Sequence, residues 1–280
     1  MNYKTVTATD QGKYREKNQD SLLVCEKKYL EKEVVLAVVC DGMGGLNYGE
    51  VASHMGVESC EKWFYSFWSN KATMPTTEMV IKELATLIAD INRKVFEYSL
   101  LSGEHMGTTL SAIMLFDNKY VIGHVGDSRI YGLKKGKLIQ LTEDHSLVAK
   151  EVQAGVITEA GAKTDRRKHL LTRCIGLKEK VYPQLLCGEI CEGNAFLVCS
   201  DGLWNRLDDQ ELQHAVSSNN INLNQLIKNA RSRNEKDNIS VIAVTCNNKK
   251  QNLTVKNVMR FVVVPTIAIL IGFLILKLIN

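Results

Sequence analysis

Apolar residues along the chain fall into two patterns. In the first, Ala52, Gly56, Cys60, Trp63, Phe64 and Phe67 recur at spacings of three and four, as do Val80, Leu84, Leu87, Ile88, Ile91, Val95 and Tyr98. Both stripes predict amphipathic helices whose aromatic and aliphatic faces are ordinary core. The second pattern is a set of short unbroken runs rich in branched residues, at 21–25, 34–40, 109–116, 120–125, 195–199 and 239–244. Their length and continuous apolarity suit strands buried on both faces. Two long helices among many strands of hairpin-like spacing predict an α+β layered domain. The strand–helix alternation of a doubly wound parallel sheet is missing.

One further run stands apart. Residues 261–276, FVVVPTIAILIGFLIL, carry no charge, and the stretch widens to 258–279 with Arg260 and Lys277 close enough to its ends to snorkel. It is apolar all round and follows a polar connector at 247–257, which predicts a membrane span over a buried core helix. Lys249, Lys250, Lys256 and Arg260 precede it and Lys277 follows, so the positive-inside rule places the main domain in the cytosol. The expected arrangement is a main domain over 1–246, a linker over 247–257 and a C-terminal tail anchor in membrane lipid over 258–279.

Composition narrows this picture. A chain of 280 residues, 24% charged and 45% hydrophobic with three prolines, is neither disordered, collagenous nor a small disulfide scaffold. The formal net charge is +4, yet residues 249–280 hold five basic residues and no acidic one. The excess therefore belongs to the tail. The rest is balanced and shows no basic stripe along the sequence, so no nucleic-acid partner is expected. Eight cysteines form no C-x-x-C pair, and most sit in apolar runs as small hydrophobes, which suits a reducing compartment. The first ten residues have no apolar stretch, so no cleaved leader is expected there.

The chemistry lies in where the aspartates sit. Asp41 follows the run at 34–40 directly, Asp127 follows 120–125 after one glycine, and Asp201 follows 195–199 after one serine. Asp20 and Asp237 stand just before their strands. In antiparallel sheets the end of one strand is level with the start of its neighbour, so the five carboxylates can gather at one end of the layers. Unpaired, they would repel one another and oppose folding; a hard divalent cation resolves this, and an all-oxygen set favours magnesium or manganese over zinc. Each aspartate taken singly could also merely begin a turn, as Asp41-Gly42 and Asp201-Gly202 suggest.

Eight short motifs in one order give the chain its resemblance. They are Thr9-Asp10-Gln11-Gly12, Arg15-x-x-Asn18-Gln19-Asp20, Asp41-Gly42-Met43-Gly44-Gly45, Gly107-Thr108-Thr109, Gly126-Asp127-Ser128-Arg129, Leu171-Thr172-Arg173-Cys174-Ile175-Gly176, Ser200-Asp201-Gly202-Leu203-Trp204 and Asp237-Asn238-Ile239-Ser240. From about residue 3 to 246 the chain resembles the metal-dependent serine/threonine phosphatases of type 2C, in their compact bacterial form.

The resemblance implies a four-layer α-β-β-α sandwich with two central, mainly antiparallel sheets. Two divalent cations, Mn2+ or Mg2+, would lie in a cleft between the sheets, with a third, weaker site beside them. Asp41 would bridge the pair, the Gly42 carbonyl would be a ligand, and Asp20 would act mainly through water. Asp201 and Asp237 would hold the second ion, and Asp127 with Asp201 the third. Arg15 would grip the phosphate as a planar fork, completing with the four aspartates at 20, 41, 201 and 237 a catalytic set for hydrolysis of phosphoserine and phosphothreonine by metal-activated water.

Two departures accompany it. Met43 stands where some members carry a histidine proposed as general acid, so leaving-group protonation is expected from water on the metal. Gln19 replaces a glutamate of other members and keeps only hydrogen-bonding ability. Residues 146–170 match the family's mobile flap, beginning with a helix-like stretch at 146–154, and their basic side chains suit contact with substrate. His145 and His169 fall in no matched position and are read as structural or solvated; Trp204 is expected to pack beneath the Asp201 turn. A kinase at the same membrane is the expected functional opponent. The rival readings are a non-catalytic phosphoprotein-binding module, which should have lost metal carboxylates, and a hydrolase of small phosphoesters.

Overall fold

Alternate residues of each central strand are buried on opposite sides, and this sets the layers. The computed structural model describes residues 1–43, 48–69, 72–218 and 220–247. One sheet has the order β1 (Asn2–Asp10), β10 (Ile239–Asn247), β9 (Ala195–Cys199), β6 (Arg129–Lys134) and β7 (Lys137–Gln140). The other has the order β2 (Asp20–Tyr29), β3 (Lys32–Asp41), β4 (Leu110–Phe116), β5 (Lys119–Val125) and β8 (Gln184–Glu189). Every pairing between these strands is antiparallel.

In β3, Val34, Leu36, Val38 and Cys40 join a core that also holds residues of helices α1 (Gly49–Phe67) and α2 (Thr77–Ser102). Val35, Ala37 and Val39 face the other way and join Phe196, Val198, Ile242 and Val244 of the second sheet. In β10, Ile239, Val241 and Ala243 pack with α5 (Asp201–Trp204), α6 (Asp209–Ser217) and α7 (Leu223–Ser232). The result is helices, sheet, sheet, helices. A strand buried on both faces has no polar side to present, which is why these segments read as continuous apolar runs.

The predicted elements have the expected type, several with longer bounds: the run at 21–25 is the first half of β2, and 34–40 is the core of β3. Helix α2 begins where the Thr76 hydroxyl accepts the Met79 N–H at 3.3 Å. The strands β1, β6, β7 and β8 and the helices α5–α7 add to the sequence expectation. In the 146–170 stretch, α3 (Leu147–Gln153) is capped by Ser146, as expected of 146–154, and α4 (Glu159–Thr164) follows. Leu147 N–H donates to Leu170 O at 2.8 Å and closes the base of this segment. Among the described residues no helix is long and apolar enough to cross a membrane. The predicted span at 258–279, most of the 247–257 linker and Gly44 and Gly45 of the glycine motif lie outside the described residues.

Candidate metal centre and active site

Antiparallel register brings the carboxylates together. Asp20 and Asp41 are direct partners at the shared end of β2 and β3. Asp201 follows β9 and Asp237 precedes β10, two strands paired antiparallel in the other sheet. The sheets are stitched at this end by Ser200, whose hydroxyl donates to Asp20 Oδ2 at 2.8 Å while accepting the Ser240 N–H at 2.9 Å.

Each matched motif fixes part of this end. Asp41 N–H donates to Thr109 Oγ1, and Asp41 O accepts both the Thr108 hydroxyl and the Thr109 N–H, all at 2.9 Å. The Gly107-Thr108-Thr109 motif thus clamps the Asp41 backbone. A Cβ on Gly42 would stand 2.3 Å from Gly49 O and 2.6 Å from Gln19 O, so the chain can cross there only as glycine. Asn238 accepts the Gln19 N–H at 2.9 Å and donates to Gln11 O and Lys17 O at 2.7 and 3.1 Å, binding the 11–19 loop to the start of β10. Trp204 Nε1 donates to Asp127 O at 3.1 Å and lies under the Arg129 guanidinium, 3.4 Å from the ring centre. Trp204 therefore joins the turns of Asp201 and Asp127, more than the packing expected of it.

Electrostatically the cluster is costly as it stands. Burial, then the fields of Asp20, Asp201, Asp237 and Asp127, hold the Asp41 carboxyl well above the usual carboxylate range. Burial is likewise the leading cause that raises Asp20, Asp127 and Asp201, and the Asp201 field adds to it at Asp20 and at Asp127. Asp20 Oδ1 and Asp201 Oδ1 are buried without a hydrogen-bond partner. Orphaned buried oxygens facing mutual repulsion are what a hard cation would satisfy, so the donor set fits magnesium or manganese. Among the described residues no three His, Cys, Asp or Glu side chains stand as a set that could by itself hold one ion. Ions of this type keep several waters and take only one or two carboxylates directly, so carboxylates that do not form a closed three-ligand set are compatible with them.

Arg15 lies at the rim, a third exposed, with Nη2 2.6 Å from Asp237 Oδ2. This bond orients the guanidinium and leaves other N–H donors of its fork for an anion. The Gln19 amide turns toward Glu50 Oε2, at 3.3 Å. His124 and His145 pack ring to ring, 4.9 Å between centres. Burial above all lowers their pKa values to about 4 and about 3, so both rings are neutral near pH 7. His145 Nδ1 accepts the Gly126 N–H at 3.1 Å, which makes it a support for the Asp127 turn. His169 is different. It is more than half exposed, yet its Nδ1 lies 3.5 Å from Asp201 Oδ2, and its neighbour Lys168 donates to Asn205 Oδ1 at 3.2 Å. The 146–170 segment thus reaches the carboxylates through a histidine that no matched motif singled out.

Comparison with known proteins identifies the family. Residues 12–239 match the family model described as Protein phosphatase 2C. The serine/threonine phosphatase stp of Listeria innocua is 34% identical over 244 residues, covering 85% of this chain and 94% of that protein. The solved serine/threonine phosphatase of S. agalactiae superposes with a TM-score of 0.77 at 32% identity, covering 88% of this chain and all of that one. The catalytic domain of the serine threonine protein phosphatase PstP, solved in complex with two manganese ions, superposes at 0.74 with 27% identity, covering 88% of this chain and 99% of its own. The chain belongs to the protein phosphatase 2C family, the metal-dependent serine/threonine phosphatases.

Proposed function

We propose that this chain removes phosphate from phosphoserine and phosphothreonine of cytosolic proteins at the Asp20/Asp41/Asp127/Asp201/Asp237 cluster. The observation that carries this reading is the convergence of five carboxylates, two with orphaned buried oxygens, at one end of a phosphatase 2C fold. Asp41, the Gly42 carbonyl, Asp201 and Asp237 would hold two divalent cations, with Asp20 contributing through water and Asp127 with Asp201 offering a third place. Such ions, when bound, supply Lewis acidity and lower the pKa of water toward neutrality. The chain's own residues do the rest. Arg15 orients the phosphate, the Thr108–Thr109 clamp fixes Asp41, and Ser200 keeps Asp20 aimed across the two sheets. Met43 has no proton to give, so it takes no part in protonating the leaving group.

The test is phosphate release from a phosphothreonine peptide with manganese, with chelator, and with Asp201→Asn. Release is expected only from the unaltered protein with manganese. A folded, manganese-loaded protein that releases nothing would overturn the reading.

The uncharged run within residues 258–279, with cations before it, supports a membrane span holding the catalytic domain at the cytosolic face. Tethering would concentrate the enzyme near membrane-bound phosphoproteins, the substrates of a kinase at the same surface. Removing residues 250–280 is expected to move the protein from the membrane fraction to the soluble one. Unchanged fractionation would rule out the anchor.

A further inference from the structure

Next along the chain to Arg15 and Asp237, an open cavity of about 400 Å³ lies outside the five-aspartate cluster. It is lined by Lys13 and Tyr14 from the 11–15 loop and by Lys228, Arg231, Ser232, Asn234 and the acidic Glu235 from α7 and the turn after it. Lys228, Arg231 and Ser232 stand at positions i, i+3 and i+4, hence on one face of the helix. Tyr14 donates its hydroxyl to Asn234 Oδ1 at 2.6 Å and ties the two walls together.

The charge in this cavity is unbalanced. The carboxylates near it are already committed. Glu235 accepts Arg206 Nε at 2.7 Å and the N–H groups of Lys236 and Asp237 at 2.7 and 2.9 Å. Asp10 accepts Arg231 Nη1 at 3.0 Å and the Gly12 N–H at 2.7 Å. Among the described residues Lys13 and Lys228 have no ion pair, and the Lys13 ammonium sits 5.9 Å from the centre of the Tyr14 ring. Like charges from two separate elements facing one cavity repel until an anion enters. Residues 1–248 are close to neutral as a whole, so this field is local.

Its position gives the cavity a use. Tyr14 is joined directly to Arg15, the proposed phosphate grip, and Glu235 precedes Asp237 by two residues. An extended peptide advances about 3.3–3.6 Å per residue, so a side chain a few positions from the scissile phosphoresidue can reach it. We propose that Lys13, Lys228 and Arg231 form a second anion subsite that selects phosphoprotein substrates carrying a carboxylate or another phosphate within four residues of the target. This rests on the phosphatase reading and adds a preference to it.

The test uses the full chain with manganese and one phosphothreonine peptide frame. The frame carries neutral flanks, a single glutamate at each position within four residues on either side, or a second phosphoresidue there. Para-nitrophenyl phosphate serves as a substrate with no flanks. An anion at the favoured position is expected to raise kcat/KM about tenfold, the scale of two exposed charge contacts. Lys13→Ala/Lys228→Ala should remove most of that gain and leave the neutral peptide and para-nitrophenyl phosphate unchanged, while Lys13→Arg/Lys228→Arg keeps it. A gain from the second phosphate alone assigns the subsite to phosphate; a gain from glutamate as well assigns it to anions in general. No gain at any position, or a gain untouched by the alanine pair, overturns the proposal and leaves a solvated basic patch. Fluorescence anisotropy with the same peptides reads the subsite without turnover, so a protein that binds anion-flanked peptides better yet releases no phosphate counts against the phosphatase reading alone.

Discussion

Asp41→Asn is expected to lower phosphate release by a thousandfold or more while making the metal-free protein more stable. The first effect follows from position. Asp41 is the carboxylate on which burial and the fields of Asp20, Asp201, Asp237 and Asp127 all act, and under the proposed function it would be a ligand of the divalent cations. Losing it should remove several kcal/mol of charge stabilisation in the transition state, about three powers of ten in rate. The second effect has the opposite sign. Asp41 has its folded-state pKa raised, so at pH 7 its ionised form weakens the folded state; asparagine is isosteric and uncharged. The metal-free variant should melt about 3 °C or more above the unaltered protein, the shift of roughly 1 kcal/mol in a domain of this size. The same repulsion predicts that metal-free unaltered protein gains stability as pH falls through the raised pKa of the cluster. Calorimetry of both proteins in chelator, with phosphate release in manganese, checks the pair of effects. A variant that loses activity and also stability would mean that Asp41 holds the fold together rather than straining it.

Gly202→Ala tests the backbone under the second half of the site. A Cβ there would lie 2.1 Å from Asn238 O and 3.2 Å from Ile239 Cγ1. The nearest obstacle is backbone, so relief requires the turn leading into β10, which carries Asp237, to move away from α5, which carries Asp201. Overpacking of this kind costs about 3 kcal/mol, or about 6–12 °C in melting midpoint for a domain of this size. Activity should fall further than stability explains, because the two carboxylates part. A melting curve and a manganese titration of the variant give both quantities. An unchanged midpoint and unchanged manganese dependence would mean that the approach of the two turns has no bearing on the site.

Much of the fold was legible because its central strands are buried on both faces. Runs such as 34–40 and 239–244 have no polar alternation to confuse them, and the structure keeps them as strands. The strands β1, β6, β7 and β8 were harder. β1 reads NYKTVTATD, with threonines and a lysine in place of an apolar run, and β8 is half exposed. Helix α7 carried a usable signal, since Leu223, Leu226, Ile227 and Ala230 sit at helical spacing and are buried. Its polar composition hides that stripe in a reading based on long apolar segments.

The sequence by itself determined which aspartates end or begin strands and in what order their motifs come. Strand polarity then leaves antiparallel sheets one common end at which to collect them. Only the tertiary structure decided what meets that end from elsewhere in the chain. Arg15 bonds Asp237 across 222 positions, Ser200 reaches Asp20 across 180, His169 comes to Asp201 from the 146–170 segment, and Lys13 shares a cavity with Lys228. Periodicity records how a segment folds on itself. Which loops then touch is set by the packing of two sheets and their helices, and no local spacing encodes it.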